Sequence, residues 1–149
     1  MKIKRVIEII FIVVAFAIVL AQAAGIFLDW REGRLVQNDI RKGARVTVLK
    51  INPRFPPGLL LEYENSSRHG IRKTRFRIVF ESNAQEIARG DRDFGEVRPG
   101  EKKKILLESL SVLPSGNALT PKGRVKYRLF VSPNSKKPLP EITGELEIQ

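Results

Sequence analysis

The 149-residue chain has no cysteine, one histidine, one methionine, one tryptophan and two tyrosines. Without cysteine there is no disulfide framework, no thiolate metal site and no cysteine nucleophile. That absence suits either side of a membrane and does not choose a compartment. The one histidine, His69, lies in the polar turn "SSRHG" and reads as a solvated side chain. With no second imidazole and with carboxylates scattered along the chain, metal-ligand spacing is missing. Acid is also scarce. Sixteen Asp and Glu stand against 27 Lys and Arg, a formal net charge of +11. The excess favours acidic partners (lipid head groups, nucleic acid, anionic glycans or acidic proteins) without selecting one.

Catalytic signatures are missing in the same way. Ser, His and Asp all occur, but no nucleophile-elbow sequence frames them. "SGNALTPKG" contains glycine without the spacing of a phosphate loop. "DRDFGE", residues 91 to 96, alternates acids but lacks the length and glycine position of a calcium loop, so it reads as a solvated turn. The chain is expected to be non-enzymatic, with no cofactor, metal or catalytic residue.

What is present begins at the N-terminus. Lys2, Lys4 and Arg5 precede one acid, Glu8, and from Ile9 to Leu28 no residue is charged. Twenty such positions make about 30 Å of helix, the thickness of a bilayer core. Asp29 and Arg31 end the run, and Trp30 occupies an interfacial position. "AQA" at 21 to 23 has the small-x-small form of a signal-peptidase site, which would release a secreted chain. The apolar stretch continues through "AGIFL", however, as a spanning helix requires and a signal peptide does not. An uncleaved single-pass anchor is therefore favoured over secretion after cleavage near Ala23. A count of flanking positive residues would keep the C-terminal domain inside. The signal-like order of basic start, apolar run and small residues argues for export, and the extracytoplasmic, periplasmic side is the expectation.

Residues 31 to 43 form a polar connector, with Gly43 suited to a helix C-terminus. From residue 44 the hydrophobic period becomes two. Seven strand-like runs cover 44–51, 58–65, 71–81, 85–89, 102–112, 123–132 and 141–149, each bounded by Gly, Pro, Asn or Ser clusters. Short alternating strands at this spacing predict an all-β, immunoglobulin-like antiparallel β-sandwich over 44–149, behind the anchor at 1–30 and the connector at 31–43. The inward parity comprises Val46, Val48, Leu59, Leu61, Tyr63, Phe76, Ile78, Phe80, Ile105, Leu107, Val125, Tyr127, Leu129, Val131, Ile142, Leu146 and Ile148. Each large side chain fully buried contributes about 1.5–3 kcal/mol, so seventeen positions suffice for one core.

Residues 58 to 107, "GLLLEYENSSRHGIRKTRFRIVFESNAQEIARGDRDFGEVRPGEKKKIL" extended by Leu107, resemble the FxLYD domain family and the related type 2 late-embryogenesis-abundant domains. Asn65 matches the family's strand-ending Asn. Ile78, Phe80, Glu81 and Ser82 fall where the named motif belongs, and Pro99, Gly100 and Glu101 match a later turn. Glu81-Ser82 replaces the family's Tyr-Asp. The resemblance implies an immunoglobulin-like module, often membrane-anchored, that binds or scaffolds.

The outward parity of two runs is basic: Lys73, Arg75 and Arg77 on the third, Arg124, Lys126 and Arg128 on the sixth. Lettered in order as a constant-type sandwich, these are the neighbouring strands C and F, so their cations would share one face. The seventh run would lie beside the sixth and offer Glu145 and Glu147, two acids against six bases. The face is either an ion-paired, solvated surface or a binding patch for an anionic lipid, a glycan or an acidic partner. Nucleic acid is disfavoured, because only Phe130 could stack a base there. The expected function is that of a non-enzymatic, membrane-anchored binding or scaffold protein in an envelope or membrane complex. The alternative is a carrier of an anionic ligand on the basic face.

Overall fold

The computed structural model describes residues 2–52, 54, 57–108, 111–112 and 123–148. The predicted turn at 52–58 and the "SGNALTPKG" stretch fall partly or mostly outside them. Among these residues one helix, α1 (Lys2–Gly43), precedes eight strands: β1 (Ala44–Asn52), β2 (Gly58–Asn65), β3 (Thr74–Ser82), β4 (Gln85–Phe94), β5 (Lys102–Glu108), β6 (Ser111–Val112), β7 (Gly123–Pro133) and β8 (Ile142–Ile148). The chain divides into two compact units, Met1–Asn38 and Asp39–Gln149.

The first unit is helix alone. No proline interrupts it, and its apolar segment has a mean hydropathy of 2.8 with none of that window buried. This one N-terminal helix is long and apolar enough to cross a membrane. An α-helix satisfies every backbone group within itself, which is what hydrocarbon demands of a spanning segment. The polar connector is not a separate element, because helix continues through it to Gly43.

The second unit is two antiparallel sheets, ordered β1-β2-β5 and β6-β4-β3-β7-β8. Alternation in the sequence sends one parity of each strand inward. Fourteen of the seventeen predicted core residues are buried, and Val46, Val48 and Ile142 are half-buried. Those three lie on the edge strands β1 and β8, where one flank has no neighbouring strand to cover it. The sheets meet through Tyr63 of β2 and Phe76 of β3, whose rings pack edge to face at 5.3 Å between centroids. The Tyr63 hydroxyl and Thr74 Oγ1 share a buried hydrogen bond of 2.9 Å. Burial pushes the Tyr63 phenol above its usual range, with the Thr74 bond working in the opposite sense.

Three strand boundaries differ from those predicted. The third run begins at Thr74 rather than residue 71, and Ile71 instead forms an isolated bridge with Val97. The fourth run does not stop at residue 89. It extends to Phe94 and takes in the acids read as a solvated turn. The fifth run contributes to both sheets: β5 pairs with β2, whereas β6 pairs with β4 in the other sheet. The constant-type lettering would also place the fourth run with the first, second and fifth. It lies instead against β3, joined by the tight turn at Asn83 and Ala84. A two-residue hairpin makes adjacent antiparallel strands the direct outcome.

Asn65, at the end of β2, is fully buried. Its Nδ2 donates to the carbonyls of His69 at 2.8 Å and Val97 at 3.0 Å. Its Oδ1 accepts from Ser67 N–H at 3.0 Å and Ser67 Oγ at 2.6 Å. A buried side-chain amide fully bonded in this way fixes a loop that has no ladder of its own.

Candidate functional site: the charged face of the larger sheet

Five of the six predicted site residues lie on the outer face of the larger sheet and Lys73 immediately precedes β3, but the six do not form a compact patch. β3 and β7 are antiparallel, with Arg75 opposite Ser132, Arg77 opposite Phe130, Val79 opposite Arg128 and Glu81 opposite Lys126. Lys73, Arg75 and Arg77 therefore occupy one half of the face, and Arg128, Lys126 and Arg124 the other. The cations run diagonally along the two strands, one per rung, over about 33 Å at the usual rise per residue.

The face is not left basic. β4 flanks β3 on the side away from β7 and sets Asp93 opposite Arg75 and Asp91 opposite Arg77. Asp93 binds Lys73 at 3.0 Å and Arg75 at 3.2 Å, and Asp91 binds Arg77 at 2.9 Å. The hydrogen bond from Lys73, then that from Arg75, holds the Asp93 carboxyl below the usual carboxylate range. On the other half, Arg128 pairs with Glu81 and lies 3.9 Å from Glu141. Lys126 lies 3.8 Å from Glu145, and Arg124 faces Glu147 across the β7–β8 ladder. Six acids thus meet the six bases, where sequence reasoning found two. Asp91 and Asp93 are visible in "DRDFGE", but only the hairpin topology brings them beside β3.

Apart from Arg128–Glu81, which is half-buried, these pairs are exposed, so each contributes only about 0.2–1 kcal/mol. Their combined effect is a near-neutral ladder of alternating sign. Between its halves, Val79 is buried on the outer face, flanked by Arg89 and Arg128. Phe130 has the Arg128 guanidinium 5.8 Å from its ring centroid. A shallow hollow of about 290 Å³ is lined by Arg75, Arg77, Phe130, Ser132, Ser135 and Pro138. Its two guanidiniums each bind an aspartate through Nε, which offsets their positive charge. Among the described residues no group of three or more His, Asp or Glu side chains could hold a metal ion.

No protein-family model matches the chain, and no curated protein sequence matches it. Several solved structures align with part of the chain. A β-glucuronidase from Bacteroides uniformis aligns at 10% identity and a TM-score of 0.49, over 71% of this chain and 13% of that one. A FixG-related protein from Vibrio parahaemolyticus aligns at 13% identity and a TM-score of 0.44, over 72% of this chain and 97% of the other. The archaellum periplasmic stator protein FlaG from Sulfolobus acidocaldarius aligns at 11% identity and a TM-score of 0.38, over 68% of this chain and 99% of the other. The chain spans about an eighth of the length of the glucuronidase. At such identities and scores these likenesses bear on no activity.

Proposed function

We propose that this protein is a non-enzymatic, membrane-anchored binding or scaffold component of an envelope or membrane complex. Its two sheets would form an immunoglobulin-like β-sandwich of the FxLYD or type 2 late-embryogenesis-abundant kind, held on the extracytoplasmic side by an uncleaved helix. The observation that carries this reading is the bare apolar run Ile9–Leu28, exposed along its whole length. So large an apolar surface needs lipid or a protein partner to cover it. The folded unit that follows supplies a binding surface rather than a reaction centre. Its charged face is matched within itself, which favours a structural role over the alternative of an anion carrier on that face.

The test is a detergent-solubilised pull-down of the full-length chain through a tag after Gln149. A membrane protein recovered in stoichiometric amount is expected, and recovery of none would refute the scaffold reading. A reporter enzyme active only outside the cytoplasm, fused at the same point, reads the topology. The carrier alternative requires that changing Arg75, Arg77, Arg124 and Arg128 together to Glu abolish capture on anionic lipid or glycan.

A further inference from the structure

The larger concentration of unmatched charge lies elsewhere, at the end of the β-unit where α1 joins β1. Three segments, 39–43, 66–73 and 132–139, are stitched together there. Ser66 N–H donates to the Gly43 carbonyl at 2.8 Å, and Arg41 Nη2 donates to the Pro138 carbonyl at 3.1 Å. Arg72 N–H donates to Asn134 Oδ1 at 2.9 Å, and Asn134 N–H donates to the Lys73 carbonyl at 2.6 Å. Asn134 and Ser135 both hold φ near 53°, in the left-handed region that asparagine tolerates and that is costly for serine. This bonded, strained turn sets Lys136 and Lys137 in the same bonded end as Arg72.

The three segments carry Arg41, Lys42, Arg68, Arg72, Lys73, Lys136 and Lys137. Their one acid, Asp39, accepts from Arg68 N–H at 3.2 Å and lies 3.6 Å from His69 Nε2. Two more acids approach from outside: Asp93, bound to Lys73, and Glu96, 4.0 Å from where a Cβ on Gly70 would sit. Seven cations against three acids leave a net charge of +4, whereas the ladder is balanced. Lys42, Arg68, Arg72, Lys136 and Lys137 are exposed and, among the described residues, form no ion pair.

We infer that this basic end is a contact surface for anionic phospholipid head groups. The inference rests on the membrane anchor in the reading above and concerns residues outside the sheet face. Its cations are spread over three loops and do not converge on one acceptor, which suits an extended negative surface better than a single small anion. Connectivity adds a second argument. Ten residues, 29–38, separate the end of the apolar run from Asp39. Even fully extended, ten residues reach at most about 36 Å, which limits how far this end can lie from the head groups.

The test uses the full chain in lipid nanodiscs and reads the acylation rate of individual lysines by mass spectrometry. With roughly a third phosphatidylglycerol in phosphatidylcholine, Lys136 and Lys137 are expected to react about fivefold more slowly, relative to Lys104, than in phosphatidylcholine alone. About 1 M salt, with its screening length near 3 Å, should remove the difference. The paired change Arg68→Glu and Arg72→Glu, which leaves both reporter lysines in place, should remove it too. An unchanged thermal unfolding midpoint in micelles shows that the variant is folded, and Lys42→Gln with Arg72→Gln gives a second, charge-neutralising variant. Equal rates in the two lipids, protection that persists in salt, or protection that survives both variants would overturn the inference. Failure of the chain to co-purify with nanodiscs would instead refute the anchor, and the inference with it.

Discussion

Replacing Gly43 by alanine adds one methyl group where α1 ends, and the surroundings leave no room for it. A Cβ there would lie 2.4 Å from Ser67 N, 2.7 Å from Ser67 Cα and 2.8 Å from Ser67 Cβ. Both sides of this contact are backbone, so neither can rotate away. Ile40, one turn earlier, is buried and holds the helix end in place. Ser67 is bound through its N–H and hydroxyl to Asn65, and moving it would break the network that closes β2. Overpacking of this kind costs about 1–3 kcal/mol, and each strained hydrogen bond adds about 1 kcal/mol. Alanine's better helix propensity offsets about 1 kcal/mol of that. The net expectation is a loss of about 2 kcal/mol, which for a unit of this size lowers Tm by roughly 8 °C. Near-UV circular dichroism of Tyr63 and Tyr127 during thermal unfolding in micelles follows the β-unit directly. Gly33→Ala is the control, because a Cβ at Gly33 meets nothing within 4 Å. If Gly43→Ala melts together with the parent or above it, the close approach of the helix end to Ser67 is not what the geometry implies.

Ala84 holds φ at 61° in the β3–β4 turn, beside Asn83 at 50°. Ala84→Gly creates the Asn-Gly pair that such a hairpin prefers and should stabilise the unit by about 1 kcal/mol in denaturant titration; a loss of stability would contradict the turn geometry. Asn65→Ala leaves the Ser67 N–H without its acceptor and removes one of two donors from each of the His69 and Val97 carbonyls, and a loss of about 1–3 kcal/mol is expected in the same titration. A loss below about 0.5 kcal/mol, the size of an ordinary surface change, would mean that water replaces the amide freely. The Asp93 carboxyl titrates below its usual range in the folded protein, so its contribution is complete above the unfolded value near 4 and fades as pH falls below it. The difference in Tm between the parent and Asp93→Asn should therefore be present at neutral pH and shrink in acid; a difference that grows in acid would reverse the sign of the argument.

Period-two alternation and turn residues were enough to locate the strands and name most of the core. Side-chain parity is a local property of extended backbone, and Phe76, Ile78 and Phe80 fall on one face whatever lies beside them. The apolar run of α1 is legible for the same reason, since its length and composition need no neighbour. Partner choice is not local. "DRDFGE" contains the aspartates that balance Arg75 and Arg77, but nothing within those six residues says that they continue a strand beside β3. Asn65 shows the same limit, because its donors and acceptors lie on Ser67, His69 and Val97, which only folding collects. The basic end draws its charge from segments almost 100 positions apart. The apolar helix, the strand periodicity and the excess of positive charge follow from local composition and order alone. The tertiary structure decided which of those charges are matched and which remain open, because an ion pair depends on strand neighbours and loop closure rather than on distance along the chain.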